Sequence, residues 1–213
     1  MSYSLLGDAR LYELLFLVDQ ELAAESQAAG CRGCGGRLHR ARYPRKPRLG
    51  GGCAAIGTSA WRFSFCCARD GCRRRTTPPS VRYLGRRVYL GAVVVLVTAM
   101  HAGITPARAQ HLHDLLGVSR RTLHRWRVWW RTTFLTTAFW RATQGLFMPP
   151  VRSDTLPASL LERFGGPDEG VQLMRLLRFL GPLTTGTSRL GSSLAMAGGD
   201  PQRMSPRSPA PLF

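Results

Sequence analysis

The chain has 213 residues, of which 30 are lysine or arginine and 12 are aspartate or glutamate, so its formal net charge is +18. A hydrophobic content of 44% excludes a wholly disordered chain, and the length is sufficient for one or two compact domains. A charge of this size argues against an acidic or neutral metabolic enzyme. It favours a polyanionic partner, such as a nucleic acid or an anionic membrane surface.

The positive charge is concentrated in the middle of the chain. Residues 1–30 hold one arginine and five acids, residues 31–152 hold 23 basic residues and two acids, and residues 153–213 hold six arginines and five acids. A genome rich in arginine codons would not confine the depletion of acids to one segment. We therefore expect residues 31–152 to face the polyanion, and we favour nucleic acid over a membrane surface.

Targeting and membrane signals are weak. The first residues lack the basic segment of a secretory signal, and the longest apolar run is far shorter than the roughly 20 residues that span a bilayer. We expect a cytoplasmic, nucleoid-associated protein without a membrane partner, whose six cysteines are reduced. In that compartment, closely spaced cysteines indicate a metal site before a disulfide.

An amphipathic helix is predicted over residues 4–28, within an N-terminal segment 1–30. Asp8 lies near its start, and Gly30 marks its end. Its apolar residues recur at spacings of three and four, namely Leu11, Leu14, Leu15, Val18 and Leu22. We interpret it as a docking helix without chemistry of its own.

Residues 31–80 have a different composition, in which cysteine, glycine, arginine and proline replace the helical pattern. The alternation of Trp61, Phe63 and Phe65 with polar residues predicts a strand with one buried face. A loop before this strand combines basic residues with one aromatic side chain, a composition that suits phosphate contacts. The residues that we expect to make these contacts are Arg42, Arg45 and Lys46.

The cysteines of this segment form two groups. Cys31 and Cys34 belong to a CxxCGG sequence, and a second group 32 residues later ends with Cys72. Two thiolates on a glycine-containing turn can hold one metal ion from the same side. Two such groups around a strand predict a four-cysteine zinc ribbon with one structural Zn²⁺, because four thiolates leave no position for a reactive water.

Two adjacent cysteines, Cys66 and Cys67, compete for the third ligand position. Strand alternation places their side chains on opposite faces, and Cys67 is favoured because it shares the face of Phe65. Cys53 is interpreted as a bystander, and His39 is interpreted as an exposed residue and only a weak substitute ligand. The predicted ligands are Cys31, Cys34, Cys67 and Cys72.

Residues 81–148 are predicted to be helical. The run 86–101 suits a buried helix, although its β-branched residues would also suit a strand. Pro106 suits the first turn of a second helix. Ser119 suits the cap of a third helix that extends to about Phe139.

Residues 109–126 have the spacing of a helix-turn-helix, with Gly117 at the turn. His113 takes a position that a small residue usually fills, which leaves the distance between the helices open. The two helices would bury apolar groups at Leu112, Leu116, Val118, Leu123 and Trp126. The start of the last helix would present DNA-binding residues to a major groove, where arginine pairs with guanine: Ser119, Arg120, Arg121, His124 and Arg125. The alternative is a plain helical hairpin with a solvated basic face.

Residues 149–183 are predicted to hold two short helices, which begin at Pro157 and at Asp168. Residues 184–213 are rich in serine, glycine and proline, and we expect a disordered tail. The predicted fold is therefore mainly α with a small β zinc ribbon. Its parts in chain order are an N-terminal helix, the ribbon, a three-helix helix-turn-helix domain, short C-terminal helices and the tail.

The order of these motifs resembles the DNA-binding portion of bacterial insertion-sequence transposases and of their accessory proteins. The resemblance covers about residues 31–135 and rests on the CxxC pair, Tyr43-Pro-Arg-Lys-Pro, Gly71-Cys-Arg-Arg-Arg and the helix-turn-helix that follows. It implies recognition of transposon ends or of another double-stranded DNA site. It also implies a metal role for the four cysteines and a reading role for residues 119–125.

Transposases of this type also carry an RNase H-like domain whose three acids bind Mg²⁺, and this sequence departs from that pattern. Five acids follow the basic segment, no predicted strands surround them, and Asp168 and Glu169 are explained by a helix start. We therefore expect a non-enzymatic, zinc-stabilised, sequence-specific DNA-binding protein related to transposition. The alternatives are an RNA-binding zinc-ribbon protein and the DNA-binding subunit of a split transposase, whose catalytic subunit would be a separate partner.

Overall fold

The computed structural model describes Leu5 and residues 8–41, 43–44, 61–84, 93–95 and 105–185. This part is mostly helical with small antiparallel sheets, which confirms the coarse prediction of a mainly α fold. Its helices are α1 (Ala9–Ala28), α2 (Pro106–Leu116), α3 (Arg120–Arg131), α4 (Ala138–Thr143), α5 (Ala158–Leu161) and α6 (Glu169–Leu180). Its strands are β1 (Leu38–Arg40), β2 (Tyr43–Pro44), β3 (Trp61–Arg62), β4 (Phe65–Cys67) and β5 (Arg75–Thr76). Among the described helices, none combines the length and the apolar composition that a bilayer crossing needs.

Helix α1 begins at Ala9, five residues after the predicted start, and the Asp8 carboxylate caps it by accepting a hydrogen bond from the Arg10 amide (2.9 Å). The prediction that Leu14 belongs to the buried face is wrong, because 47% of this side chain is exposed. The buried face is centred near Leu15 and Asp19, and Leu14 lies just beyond its edge, next to the buried Leu11 and Val18.

The strands form two antiparallel sheets, one with the order β1-β4-β5 and one that pairs β2 with β3. The prediction of a single alternating strand over residues 61–65 is wrong, because the chain leaves one sheet after Arg62 and joins the other at Phe65. Arg62 and Ser64 are buried rather than exposed. The Arg62 guanidinium donates a hydrogen bond to the Thr184 carbonyl (2.8 Å) inside the protein, which compensates for part of the cost of its burial.

Helices α2 and α3 are joined by three residues, and Gly117 at the start of this connection has a φ of 63°, a left-handed conformation that favours glycine. The five apolar positions that the sequence indicated are all buried: Leu112, Leu116, Val118, Leu123 and Trp126. His113 is exposed, so it does not lie between the two helices and does not set their separation.

Helix α3 ends at Arg131, about two turns before the predicted end at Phe139. Threonines follow it, and the Thr132 hydroxyl donates to the Val128 carbonyl (2.7 Å) while its backbone leaves the helical region. The Thr137 hydroxyl then accepts from the Trp140 amide (3.1 Å) and caps α4. These short-range hydrogen bonds end one helix and begin the next.

The C-terminal helices begin close to where the sequence predicts them, α5 after Pro157 and α6 after its cap Asp168. The predicted tail begins too early, because Thr184 is buried and its hydroxyl accepts from the Ser80 amide (3.0 Å). Residues 186–213 lie outside the described part of the chain. So does most of the predicted helix 86–101, of which residues 93–95 are described as helical and buried.

In the part of the chain that the structure describes, two apolar clusters form the core. The larger cluster joins α1, residues 81–83 and 93–95, and residues from each of the helices α2 to α6. The smaller cluster lies beneath the β1-β4-β5 sheet and consists of Ala23, Cys31, Leu38, Phe63, Phe65 and Cys67. Helix α1 contributes to both clusters and therefore connects the small sheet to the helical part.

A buried ion pair lies between the two clusters. The Asp19 carboxylate of α1 accepts from Arg82 Nε (2.7 Å), from the Ser80 hydroxyl (2.6 Å) and from the Val81 amide (2.7 Å). Both charged side chains are only 1% exposed. Arg82 also donates to the Trp61 carbonyl (3.0 Å), so this pair joins α1 to the segment after the sheet and to β3.

We predict that Asp19→Ala lowers the free energy of unfolding by about 3–5 kcal/mol, because it leaves the Arg82 charge buried without a carboxylate. Urea unfolding followed by circular dichroism measures this loss. The control is Glu21→Ala on the same helix, since Glu21 is largely exposed and lies 3.8 Å from Arg178. That control should cost no more than about 1 kcal/mol. Equal losses in the two variants would contradict the role given to Asp19.

Candidate metal centre and nucleic-acid interface

The structure brings four cysteine sulfur atoms together, from Cys31, Cys34, Cys67 and Cys72. All four lie within 4.8 Å of one another, and the Cys31–Cys72 and Cys34–Cys67 sulfur pairs are 3.7 and 3.5 Å apart. A tetrahedral zinc site with Zn–S bonds of about 2.3 Å separates its sulfur atoms by about 3.8 Å. These sulfur atoms are therefore close enough to coordinate one metal ion, and they are too far apart for disulfide bonds.

The first cysteine turn is held by its own backbone. The Cys31 amide donates to the Gly36 carbonyl (2.9 Å), and the Gly35 amide donates to the Cys31 carbonyl (2.8 Å). A Cβ atom at Gly36 would lie 3.2 Å from the Cys67 sulfur and 3.3 Å from the Cys34 sulfur. The second glycine of the CxxCGG sequence therefore leaves space for the sulfur cluster.

The second cysteine turn follows β4. The Cys67 amide donates to the Arg74 carbonyl (3.0 Å), and the Cys72 amide donates to the Arg69 carbonyl (3.1 Å). Gly71 has a φ of 81°, which allows the chain to reverse just before Cys72. The first turn leads into β1, and the second turn follows β4. Because β1 and β4 pair antiparallel, both turns lie at the same end of the sheet.

Cys67 belongs to the sulfur cluster and Cys66 does not, in agreement with the alternation argument. The Cys66 thiol lies near the Arg73 carbonyl (3.4 Å), and the register places Cys66 opposite His39 and Arg75. His39 is exposed and is also outside the cluster. Cys53 lies outside the described residues.

The environment of the thiols separates their pKa values. Hydrogen bonds from the Gly33 and Cys34 amides lower the pKa of the Cys31 thiol to about 6, and the Gly36 amide lowers the pKa of Cys34. The Arg69 amide also favours the Cys67 thiolate, yet burial and the three neighbouring thiols together raise the Cys67 pKa to about 12. Backbone amides thus favour the thiolate form that metal ligation needs at the first turn.

We predict that Cys67→Ala removes bound metal from the purified full-length chain, whereas Cys66→Ala keeps about one metal ion per chain. The two cysteines are adjacent, so the pair controls for the loss of a thiol. Elemental analysis after gel filtration measures the metal content. Equal metal contents in the two variants would contradict the ligand set.

The first turns of α3 hold the second group of predicted site residues. The Ser119 hydroxyl accepts from the Thr122 amide (3.3 Å) and caps the helix, as predicted. The Thr122 hydroxyl accepts from Arg125 (3.3 Å), which orients that guanidinium. All five residues predicted for this turn are exposed, namely Ser119, Arg120, Arg121, His124 and Arg125.

The basic loop lies outside the described residues, with the predicted phosphate contacts Arg42, Arg45 and Lys46. The sequence joins Arg37 and Arg40 to this basic loop, and both are exposed. It does not single out the exposed arginines inside and after the cysteine turns, such as Arg32, Arg69 and Arg73. Their signal was present in the sequence, because Arg32 and Arg69 lie between ligands of the same turn. Their relation to one another depends on the pairing of the two turns, which only the structure shows.

The C-terminal acids have local partners. Asp154 pairs with Arg152 (2.8 Å), and the Asp168 carboxylate accepts from the Val171 amide (2.8 Å) at the start of α6. Within the described ranges, the four cysteines are the one group of possible ligand side chains close enough to hold a metal ion.

Comparison with known proteins gives no relative. No family model, curated protein or solved structure matches this chain. The functional proposal therefore rests on the sulfur cluster, on α3 and on the distribution of charge.

Proposed function

We propose that this chain is a non-catalytic, sequence-specific DNA-binding protein in which α2 and α3 form a helix-turn-helix and the four cysteines hold a structural zinc ion. The observation that carries the proposal is the two-sided character of α3. Leu123, Trp126 and Trp130 are buried on one side, while the capped first turns expose arginine and histidine on the other.

The arrangement of α3 suits the major groove. Arg121 lies opposite the buried side of the helix, so its side chain can extend furthest from the core. Arg120, His124 and Arg125 flank it. Arginine donates two hydrogen bonds to the O6 and N7 atoms of guanine, a pattern that other base pairs do not present in the major groove. Arg131, the last residue of the helix, suits a phosphate contact.

The charge of the chain supports a duplex partner of this kind. The two acids among residues 31–152 are Asp70 and Asp114, and both have local partners. Asp70 pairs with Arg73 (2.8 Å), and Asp114 accepts from Gln110 (2.8 Å) on the exposed side of α2. The remaining arginines therefore dominate the electrostatic field that a phosphate backbone would meet.

The choice of zinc rests on the ligand chemistry. Four thiolates with sulfur separations near 3.5 to 3.7 Å suit a tetrahedral zinc site, and no fifth ligand position is left for a reacting water. The bound ion would hold together a cluster of six buried residues that is too small to stabilise the sheet alone. We assign it a structural role, in a zinc ribbon formed around β1, β4 and β5.

A role in transposition is part of the same proposal and rests on the resemblance of the motif order. In that role the chain would bind the ends of a mobile element and leave strand cleavage to a separate catalytic subunit. The pairing of Asp154 and the capping role of Asp168 support a chain that contributes no catalytic carboxylates.

We predict that Arg121→Ala reduces the preference for a selected duplex over a scrambled duplex by about tenfold to a hundredfold, because it removes a base contact. Arg131→Ala, which also removes one charge from α3, should weaken binding to both duplexes equally. Fluorescence anisotropy at fixed salt measures both affinities.

Two outcomes would overturn the proposal. Equal losses of preference in the two variants would remove the reading role of α3. A metal-loaded chain that binds structured RNA far more tightly than any duplex would favour the RNA-binding alternative.

A further inference from the structure

We propose that the small sheet carries a second DNA-contacting surface, which grips duplex phosphates without reading their sequence. This proposal rests on the duplex partner proposed for α3, but it concerns a different part of the molecule. The surface consists of six exposed arginines in and beside the cysteine turns, which we call the knuckle arginines: Arg32, Arg37, Arg69, Arg73, Arg74 and Arg75.

The pairing of the two cysteine turns brings these arginines together. The Arg74 guanidinium lies across the first turn, where a Cβ atom at Gly33 would approach its Nη1 atom to 2.9 Å. The Arg69 Cβ atom lies 3.4 Å from the position of a Cβ atom at Gly36. The Ala68 amide donates to the Arg37 carbonyl (2.9 Å), which links the second turn to the start of β1.

The sheet register extends the same surface. Arg75 of β5 lies opposite Cys66 of β4, and Cys66 lies opposite His39 of β1. Arg40 is exposed at the end of β1, but it lies opposite the buried Phe65 and therefore on the other face of the sheet from Arg75, so it is not counted among the knuckle arginines. All six knuckle arginines thus belong to one three-stranded sheet and its two turns.

The knuckle arginines carry more positive charge than is needed to balance the negative charge of a zinc ion with four thiolates. A zinc ion with four thiolates has a net charge of −2. Residues 31–76 contain one acid, Asp70, so the six knuckle arginines together with Asp70 contribute a net charge of +5. A charge of about +3 is left after the metal centre is neutralised. Counter-charge for the thiolates therefore explains only a minority of these arginines.

The buried arginines of the same region have a different role. Arg62 donates to the Thr184 carbonyl and Arg82 pairs with Asp19, so the arginines that the fold requires have acceptors inside the protein. The knuckle arginines are exposed and extend from turns and short strands. A surface of this kind does not enter a groove as a helix does, but its guanidinium groups can each hold a phosphate through two hydrogen bonds.

The test uses the metal-loaded full-length chain and the triple variant Arg32→Ala, Arg69→Ala, Arg75→Ala. We expect the slope of log affinity against log salt to fall by about two to three, since each phosphate contact contributes about 0.9. We expect affinity to fall by about tenfold to a hundredfold on selected and scrambled duplexes alike, so that the preference between them is unchanged.

A matched control removes the same charge elsewhere through Arg152→Ala, Arg163→Ala and Arg175→Ala. All three residues are exposed and lie among the C-terminal helices. This control should lower the salt slope by less than one, because distant charges are screened. Equal slopes for the two triple variants would overturn the proposal and would attribute the effect to net charge alone.

A lysine version of the knuckle triple variant keeps the charge and guards against a folding defect, and metal content is measured for each variant. We expect the lysine version to keep the wild-type slope. If the alanine and lysine triple variants both lower the salt slope while their metal content stays full, the contact does not depend on charge and the proposal is contradicted. Failure of the wild-type chain to bind any duplex would instead refute the proposed function. Tight binding of an RNA hairpin without duplex binding would reassign the knuckle arginines to RNA.

Discussion

The buried ion pair between Asp19 and Arg82 is the interaction on which the two parts of the molecule depend. Asp19 lies on α1, which packs against the helical core on one side and against the small sheet on the other. Its carboxylate accepts hydrogen bonds from the Ser80 hydroxyl, the Val81 amide and the Arg82 guanidinium. These bonds hold residues 80–82, which follow the sheet, against α1. Arg82 in turn stacks near Phe16 (4.9 Å) and donates to the Trp61 carbonyl. A pair so deeply buried is costly to break by removal of one partner, and it specifies a single arrangement of α1 and the sheet.

The sulfur cluster supplies the second constraint. The cluster beneath the sheet contains two of the four sulfur residues, Cys31 and Cys67, so the proposed metal site and the small core are one structure. Gln27 at the end of α1 donates to the Leu38 carbonyl (3.1 Å) and connects this core to the helix. A bound metal ion would therefore stabilise the sheet, the knuckle arginines and the C-terminal end of α1 together. The surface proposed to grip phosphates is thus built on the element that the metal would hold.

Local rules predict much of this structure from the sequence. The caps at Asp8, Ser119 and Asp168 and the turn at Gly117 depend on neighbours within four residues, and each is present. The membership of Cys67 in the cluster followed from strand alternation, although that alternation is not kept at Arg62 and Ser64. Those two residues are buried because the chain changes sheets there, which no local pattern reports. The pairing of Asp19 with Arg82 could not be predicted either, because the two residues are 63 positions apart in the sequence. The end of α3 was placed too late because threonine hydroxyls there bond to the backbone and compete with the helix.

Recognition of a DNA sequence by this chain is the central claim, and selection from a random pool tests it most directly. The metal-loaded full-length chain would be incubated with a pool of random duplexes at moderate salt, and the retained duplexes would be sequenced over successive rounds. The account predicts enrichment of one motif that contains guanine, which Arg121 would contact in the major groove. Retention of the pool without any enriched motif, or preferential retention of an RNA pool offered in competition, would contradict it.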